Sequence, residues 1–203
     1  MTQSKAMKHE PLPDPYQDEY SRTTFGFWVY LLTDFMMFAT IFAVYAVLHK
    51  STFGGPGPKE LFDLPSVMNQ TWVLLVATFF VGFGGASVHR KHRAGTITYF
   101  LLTFILGITF LWLQFDDLSL LVKRGASWKS NAFLSAYFTL IGTFAVHIVF
   151  GLLWIIVLIL PVIKRGIDMV SVRRLTCLRM FWQFLNIIWI FIFSIVYLLG
   201  VIQ

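Results

Sequence analysis

Five long apolar stretches dominate this sequence and leave little room for any fold outside a lipid bilayer. They cover residues 25–47, 67–88, 96–115, 132–163 and 180–202, and only the first contains a charged residue. About 20 residues of helix cross the hydrocarbon of a bilayer, whereas barrel strands would be half as long and would alternate in polarity. A helix also satisfies its own backbone hydrogen bonds in lipid. The sequence therefore predicts an all-α, polytopic bundle of five transmembrane helices.

The first 24 residues differ from the rest of the chain because they are polar and hold Pro11, Pro13 and Pro15. Prolines this closely spaced disfavour a helix, and no apolar core of a signal peptide precedes the first span. We therefore expect residues 1–24 to form an extended or disordered arm. Residues 25–203 are expected to form one five-helix domain.

The basic residues indicate the orientation of the spans. Eleven of the 16 Lys and Arg residues fall in residues 1–24 and in the loops after the second and fourth spans, which lie on one side of the membrane. The positive-inside rule then places the N-terminus in the cytoplasm and the C-terminus in the periplasm. The net charge of +6 is explained by topology and lipid headgroups, so no nucleic acid is expected as a partner.

Asp34 is the one charged residue inside a span. It lies roughly 14 Å along the helix axis from Phe25, where a carboxylate costs about 2.5–3.5 kcal/mol to insert. Tyr30 lies one turn earlier and is placed to share a hydrogen bond. Two interpretations stay open: a group that handles protons or lipid, or a neutral acid that ties two helices together.

His147 lies in the middle of the fourth span, and the other four histidines lie in the arm, at span edges or in loops. Two mid-membrane histidines are needed to hold a haem between helices, so no haem is expected on this chain. The single cysteine, Cys177, excludes a thiolate cluster. No catalytic centre and no metal site are predicted.

Other polar residues within the spans are predicted to bond between helices. Amides and hydroxyls in lipid point toward protein, where each bond contributes about 0.6–2 kcal/mol. This set of interhelical packing residues comprises Gln114, Thr143, Gln183 and Asn186.

Four segments occur in a characteristic order along the chain. They are FGFWVY at 25–30 with Asp34 and FAVYA at 42–46; GGP at 54–56 with KELFDLP at 59–65; FLSA at 133–136 leading to Gly142, Thr143, His147 and Gly151; and FWQFLNIIWIF at 181–191. In this order, and with five spans, the chain resembles subunit III of the haem–copper oxidases, most closely the quinol-oxidising cytochrome bo type.

The resemblance implies a non-catalytic subunit of a bacterial, proton-pumping terminal oxidase that reduces oxygen to water. Haems and copper would lie on subunit I, and the partners would be subunits I, II and IV and membrane phospholipids of the inner membrane. The implied role is to support assembly, hold lipid in a cleft and sustain proton uptake by subunit I. Asp34 stands where the family carries an intramembrane carboxylate beside that cleft, and we group Tyr30 and His147 with it.

Several family positions hold different residues here. Phe144 replaces a histidine, Gln183 and Asn186 replace the histidine and aspartate of the last helix, and Gln114 replaces a glutamate. The three amides are neutral hydrogen-bonding groups that preserve packing, and none of the four residues can exchange a proton there. Asp117 keeps an acid one turn after Gln114.

Two other functions are compatible with parts of this sequence. Asp34 would be the coupling site of a proton-coupled transporter, although the chain lacks the internal repeats common among transporters. Alternatively, the chain would be a haem-b membrane anchor, which the lone mid-span histidine argues against.

Overall fold

Five helices long and apolar enough to cross a membrane make up almost all of the part of the chain that the structure describes. This computed structural model describes residues 15–52, 54, 57 and 61–202, and within them no strand occurs. The prediction of an all-α, five-helix fold is therefore confirmed. The helices are α1 Pro15–Leu48, α2 Leu64–His89, α3 Arg93–Lys123, α4 Ala132–Arg165 and α5 Met169–Ile192, and α5 continues through a π-helical turn, Phe193–Leu198, into Leu199–Ile202.

The helices extend beyond the apolar stretches at several ends. Residues 15–24, predicted as part of a non-helical arm, belong to α1, because Pro15 occupies the first turn, where a proline is tolerated. Residues 1–14 of that arm, and much of the glycine- and proline-rich outer loop, lie outside the described residues. Helix α5 begins at Met169 rather than at residue 180, since no Gly or Pro interrupts the polar residues before the apolar stretch.

Side-chain caps fix the starts of two helices. The Nδ1 of His92 accepts a hydrogen bond from the Gly95 backbone N–H at 3.0 Å at the start of α3. The Asn131 side chain accepts one from the Leu134 N–H at 2.8 Å at the start of α4. Helix α4 passes through Pro161 and ends four residues later. Caps of this kind satisfy backbone donors that would otherwise lack partners.

The helices surround a core to which α4 and α5 contribute most. Helices α2 and α3 form an antiparallel hairpin, α3 packs on α4, α2 packs on α5, and α1 lies against both α4 and α5. Phe110, Phe144 and Trp189 form a buried aromatic cluster, with ring centroids 4.8–5.9 Å apart. Large apolar side chains such as Trp112 and Phe115 are instead exposed on the outside, as expected of a surface that faces lipid tails.

Candidate functional site: an intramembrane carboxylate and imidazole

The structure brings two of the predicted residues together at mid-depth. Asp34 lies near the middle of α1 and His147 near the middle of α4. The Oδ2 of Asp34 is 3.7 Å from the Nε2 of His147, and the two side chains are 13% and 16% exposed. The packing of α1 on α4 therefore gives the costly carboxylate a basic partner.

A second contact of the His147 imidazole, made by the nitrogen that faces away from Asp34, determines the tautomer of the ring. The Nδ1 of His147 is 2.8 Å from the backbone carbonyl oxygen of Thr143, one turn earlier. A carbonyl only accepts, so Nδ1 carries the proton. In a neutral imidazole, the Nε2 lone pair then points toward the Asp34 oxygen.

The Asp34 carboxylate is incompletely satisfied by the described residues. Its Oδ2 is buried and lacks a hydrogen-bond partner among them, and an unpaired buried charge is strongly unfavourable. The imidazole of His147, 3.7 Å away, is placed to interact with this oxygen.

Aromatic rings surround the imidazole and keep the pair apolar on several sides. The ring of Phe38, one turn after Asp34 on α1, lies 5.1 Å from that of His147, and the Phe181 ring of α5 lies 6.4 Å away. Phe38 also meets Phe184 at 6.4 Å. Three helices therefore enclose the pair and hold His147 in place.

Tyr30, the third residue of the predicted group, is at the edge of this site. It precedes Asp34 by four residues on α1, so the two side chains lie on the same side of the helix. The Tyr30 side chain is 42% exposed. It is therefore the member of the group that connects Asp34 to the outer surface of the bundle.

The four predicted packing residues are placed differently from one another. Gln114 is buried, with both polar atoms of its side chain unpartnered among the described residues, and Thr143 contributes its backbone carbonyl to His147. Asn186 is half-buried, with its Oδ1 unpartnered among the described residues. Gln183 is exposed on the outside of α5. The adjacent Trp182 is buried instead, and the interhelical packing role of Gln183 stays a prediction.

A second polar group joins α2 to α3, at the end of α2 that is opposite to His89. Its residues were not predicted from the sequence to lie together. The Asp117 carboxylate accepts hydrogen bonds from the Ser66 hydroxyl, at 2.9 and 3.0 Å, and from the Gln70 amide at 2.6 Å. The sequence indicated Asp117 only as an acid one turn after Gln114. No local pattern in the sequence links it to Ser66 or Gln70, which precede it by about fifty residues.

A phenol pair lies beside this acid. The hydroxyls of Tyr137 and Tyr197 are 2.9 Å apart and buried, and both residues line a cavity of about 280 Å³ together with Asp117 and Arg124. The π-helical turn at the end of α5 contains Tyr197 and shifts the register of the helix. Tyr197 is buried within this turn.

The described residues contain no cluster of three or more His, Cys, Asp or Glu side chains arranged to hold a metal ion. Phe144, which stands in place of a family histidine, lies in the aromatic cluster with Phe110 and Trp189. The polar groups of the described spans thus comprise the pair of Asp34 and His147 and several interhelical hydrogen bonds.

Comparisons with known proteins agree with this picture, although no family model matches the chain. It is 40% identical over 187 residues to the cytochrome bo(3) ubiquinol oxidase subunit 3 of Pseudomonas aeruginosa, covering 92% of this chain and 90% of that one. It is 34% identical to the quinol oxidase subunit 3 of Bacillus subtilis, covering 93% of each chain. It is also 34% identical to the cytochrome c oxidase subunit 3 of Bacillus sp. PS3, covering 87% of this chain and 86% of that one.

The fold and these relatives together define a multi-pass membrane subunit of a respiratory terminal oxidase. More narrowly, the chain belongs to the subunit III family of the haem–copper oxidases, with the cytochrome bo-type ubiquinol oxidase subunit 3 among its relatives. The resemblance seen in the four ordered segments is confirmed.

Proposed function

We propose that the chain is the non-catalytic subunit III of a bacterial, proton-pumping quinol oxidase of the inner membrane. In this role it supports assembly, holds lipid and sustains proton uptake by subunit I while oxygen is reduced to water. Its partners are subunits I, II and IV and membrane phospholipids, and the haems and copper reside on subunit I. The N-terminus lies in the cytoplasm and the C-terminus in the periplasm. The relatives named quinol oxidase subunit 3 and the distribution of basic residues support these assignments.

The observation that carries the proton role is the 3.7 Å approach of Asp34 to His147 at mid-depth. In this proposal the carboxylate and the imidazole accept a proton between turnovers and return it. Both side chains are slightly exposed at the junction of α1 and α4, and Tyr30 connects Asp34 to the surface there. A group of this kind at the edge of the subunit is suited to maintain a supply of protons to a neighbour, rather than to perform the chemistry.

The test is Asp34→Asn in the intact oxidase complex. We expect the initial rate of quinol oxidation to stay within about twofold of wild type, because the subunit contributes no group to the reacting atoms. The number of turnovers before inactivation should fall severalfold, because the amide cannot accept and release the proton. Asp116→Asn is the matched control, since Asp116 is exposed on α3, and it should leave both quantities unchanged.

His147→Gln distinguishes the pair from the carboxylate acting alone. If the proton is shared, His147→Gln shortens the turnover lifetime as Asp34→Asn does, and the double variant is no worse than either single one. Infrared difference spectra should show a protonated-carboxyl or imidazolium signal that Asp34→Asn removes. Loss of the very first turnovers, or an unchanged lifetime in Asp34→Asn, would contradict the proposed role.

A further inference from the structure

Arg179 occupies a slot between α2 and α5 that a glycine creates. A Cβ atom placed on Gly85 would lie 2.7 Å from the Cδ and 3.0 Å from the Nη1 of Arg179. Both distances are shorter than real side-chain contacts, so any larger residue at position 85 would displace the arginine. The guanidinium therefore lies directly over the backbone of α2 and is half-buried there.

Arg179 lacks a counter-charge in the part of the chain that the structure describes. Its Nε is buried without a hydrogen-bond partner, and none of the described carboxylates lies within ion-pair distance of it. Arg173, on the same helix, shows the contrast, because its Nη1 is 2.7 Å from a carboxylate oxygen of Glu19. A buried guanidinium nitrogen without a partner is unfavourable, so Arg179 is placed for an anion from outside the described residues.

The surroundings of Arg179 are strongly positive. Gly85 lies about one turn before the end of α2 at His89, which places the guanidinium close to the level where α2 leaves the apolar layer. The helix ends and loops on that side carry basic residues, among them Arg90, Lys164 and Arg174. Basic pockets between transmembrane helices at headgroup depth attract anionic lipid headgroups. A carboxylate of a partner protein would supply a single negative charge at a fixed position. The headgroups of anionic lipids, in contrast, reach any such basic pocket directly from the membrane.

A second donor lies one turn deeper on the same helix. Gln183 follows Arg179 by four residues, so both project from the same side of α5, and the Gln183 side chain is exposed. An exposed amide among lipid tails needs an acceptor. In a glycerophospholipid the ester carbonyls lie deeper than the phosphate, as the amide lies deeper than the guanidinium.

We propose that Arg179, held in the Gly85 slot, binds the phosphate of an anionic phospholipid through its guanidinium fork, and that Gln183 donates to an ester carbonyl of the same lipid. A guanidinium binds a phosphate through two parallel hydrogen bonds. This site lies in the groove between α2 and α5, apart from Asp34 and His147. The test of this lipid site is therefore independent of the test of the proposed proton role.

The experiment measures lipid retention by the full-length chain purified in a mild detergent. Native mass spectrometry counts bound lipids after equilibration with mixed micelles that contain equal amounts of dioleoylphosphatidylglycerol and dioleoylphosphatidylcholine. Wild type should retain the anionic lipid preferentially. Arg179→Gln should reduce that preference about tenfold, the scale expected for charge-assisted hydrogen bonds. Arg174→Gln, which removes an exposed charge on the same helix, should change it less than twofold.

Gly85→Ala provides a second variant in which Arg179 keeps its charge. The added methyl group displaces the guanidinium from its slot, so the preference should fall as in Arg179→Gln, although the net charge is unchanged. The thermal midpoint of each variant without added lipid verifies that it is folded.

Three results would overturn the proposal. One is an equal effect of Arg179→Gln and Arg174→Gln, which would indicate diffuse attraction to the basic end of the bundle. The second is displacement of the bound lipid by millimolar inorganic phosphate, which would indicate a site for the free anion. The third is a cross-link from position 179 to a carboxylate of another oxidase subunit in the intact complex.

Discussion

Replacing Gly107 by alanine tests the packing of α3 against α4 and α5. A Cβ atom at position 107 would lie 2.7 Å from the Cδ2 of Leu152 and 3.0 Å from the Cη2 of Trp182. Leu152 is 6% exposed and Trp182 is fully buried. Since carbon atoms pack at about 3.5–4.0 Å, the leucine methyl group has to move by about 1 Å. The indole of Trp182 has little space in which to yield.

The expected magnitude follows from two opposing contributions. Overpacking a dense core costs about 1–3 kcal/mol, whereas alanine is about 1 kcal/mol better than glycine inside a helix. Gly142 on α4 is the matched control, because a Cβ there has no atom within 4 Å. The helical contribution is common to both variants, so Gly107→Ala should be about 1–3 kcal/mol less stable than Gly142→Ala. For a chain of this size that separates their midpoints by about 2–12 °C.

Thermal unfolding of both variants in the same detergent checks this prediction. Near-ultraviolet circular dichroism reports the packing of the buried tryptophans, which is the property that changes. We expect Gly142→Ala to unfold at or above the wild-type midpoint and Gly107→Ala clearly below Gly142→Ala. Coinciding midpoints for the two variants would refute the close approach of α3 to Trp182.

Two further predictions concern interhelical hydrogen bonds. Asp117→Asn should lower the thermal midpoint because the carboxylate accepts hydrogen bonds from Ser66 and Gln70. Asp116→Asn, which changes an exposed neighbour, is the control and should stay within about 0.5 kcal/mol of wild type. Equal effects of the two variants would contradict these hydrogen bonds. The Nε1 of Trp189 donates to the Thr71 hydroxyl at 3.0 Å, so Trp189→Phe and Thr71→Val should each cost about 0.5–1.5 kcal/mol. The double variant should cost less than the sum of the two, and strict additivity would show that the bond does not form.

The number and position of the spans could be predicted from the sequence because hydropathy alone determines them. Their ends could not, since helices continue into the interface wherever no Gly or Pro stops them, as α5 does from Met169. Asp34 was identifiable because a charge is conspicuous inside an apolar run. Its pairing with His147 was not, because 112 residues separate the two in the sequence and only the packing of α1 on α4 brings them together.

The inward and outward faces of the helices were harder to predict than the spans themselves. In a soluble helix polarity marks the outer face, but around α5 apolar residues occur on every side, so periodicity does not separate lipid from core. Gln183, predicted to pack between helices, is exposed on α5, and the adjacent Trp182 is buried. Arg179 carried a sequence signal, as a lone arginine at the edge of an apolar run. The fit of its side chain against α2 could not be predicted, because it depends on Gly85, which lies on another helix.

The central claim is that the chain is one subunit of a haem–copper quinol oxidase and has no redox centre of its own. Affinity purification of the tagged chain from its native membranes in a mild detergent, with mass-spectrometric identification of the partners and an absorption spectrum, tests it most directly. We expect subunit I to copurify with its haem absorption, and that absorption to disappear when the chain is stripped from the complex. Haem absorption that stays with the isolated chain, or purification without any haem–copper subunit, would contradict the claim.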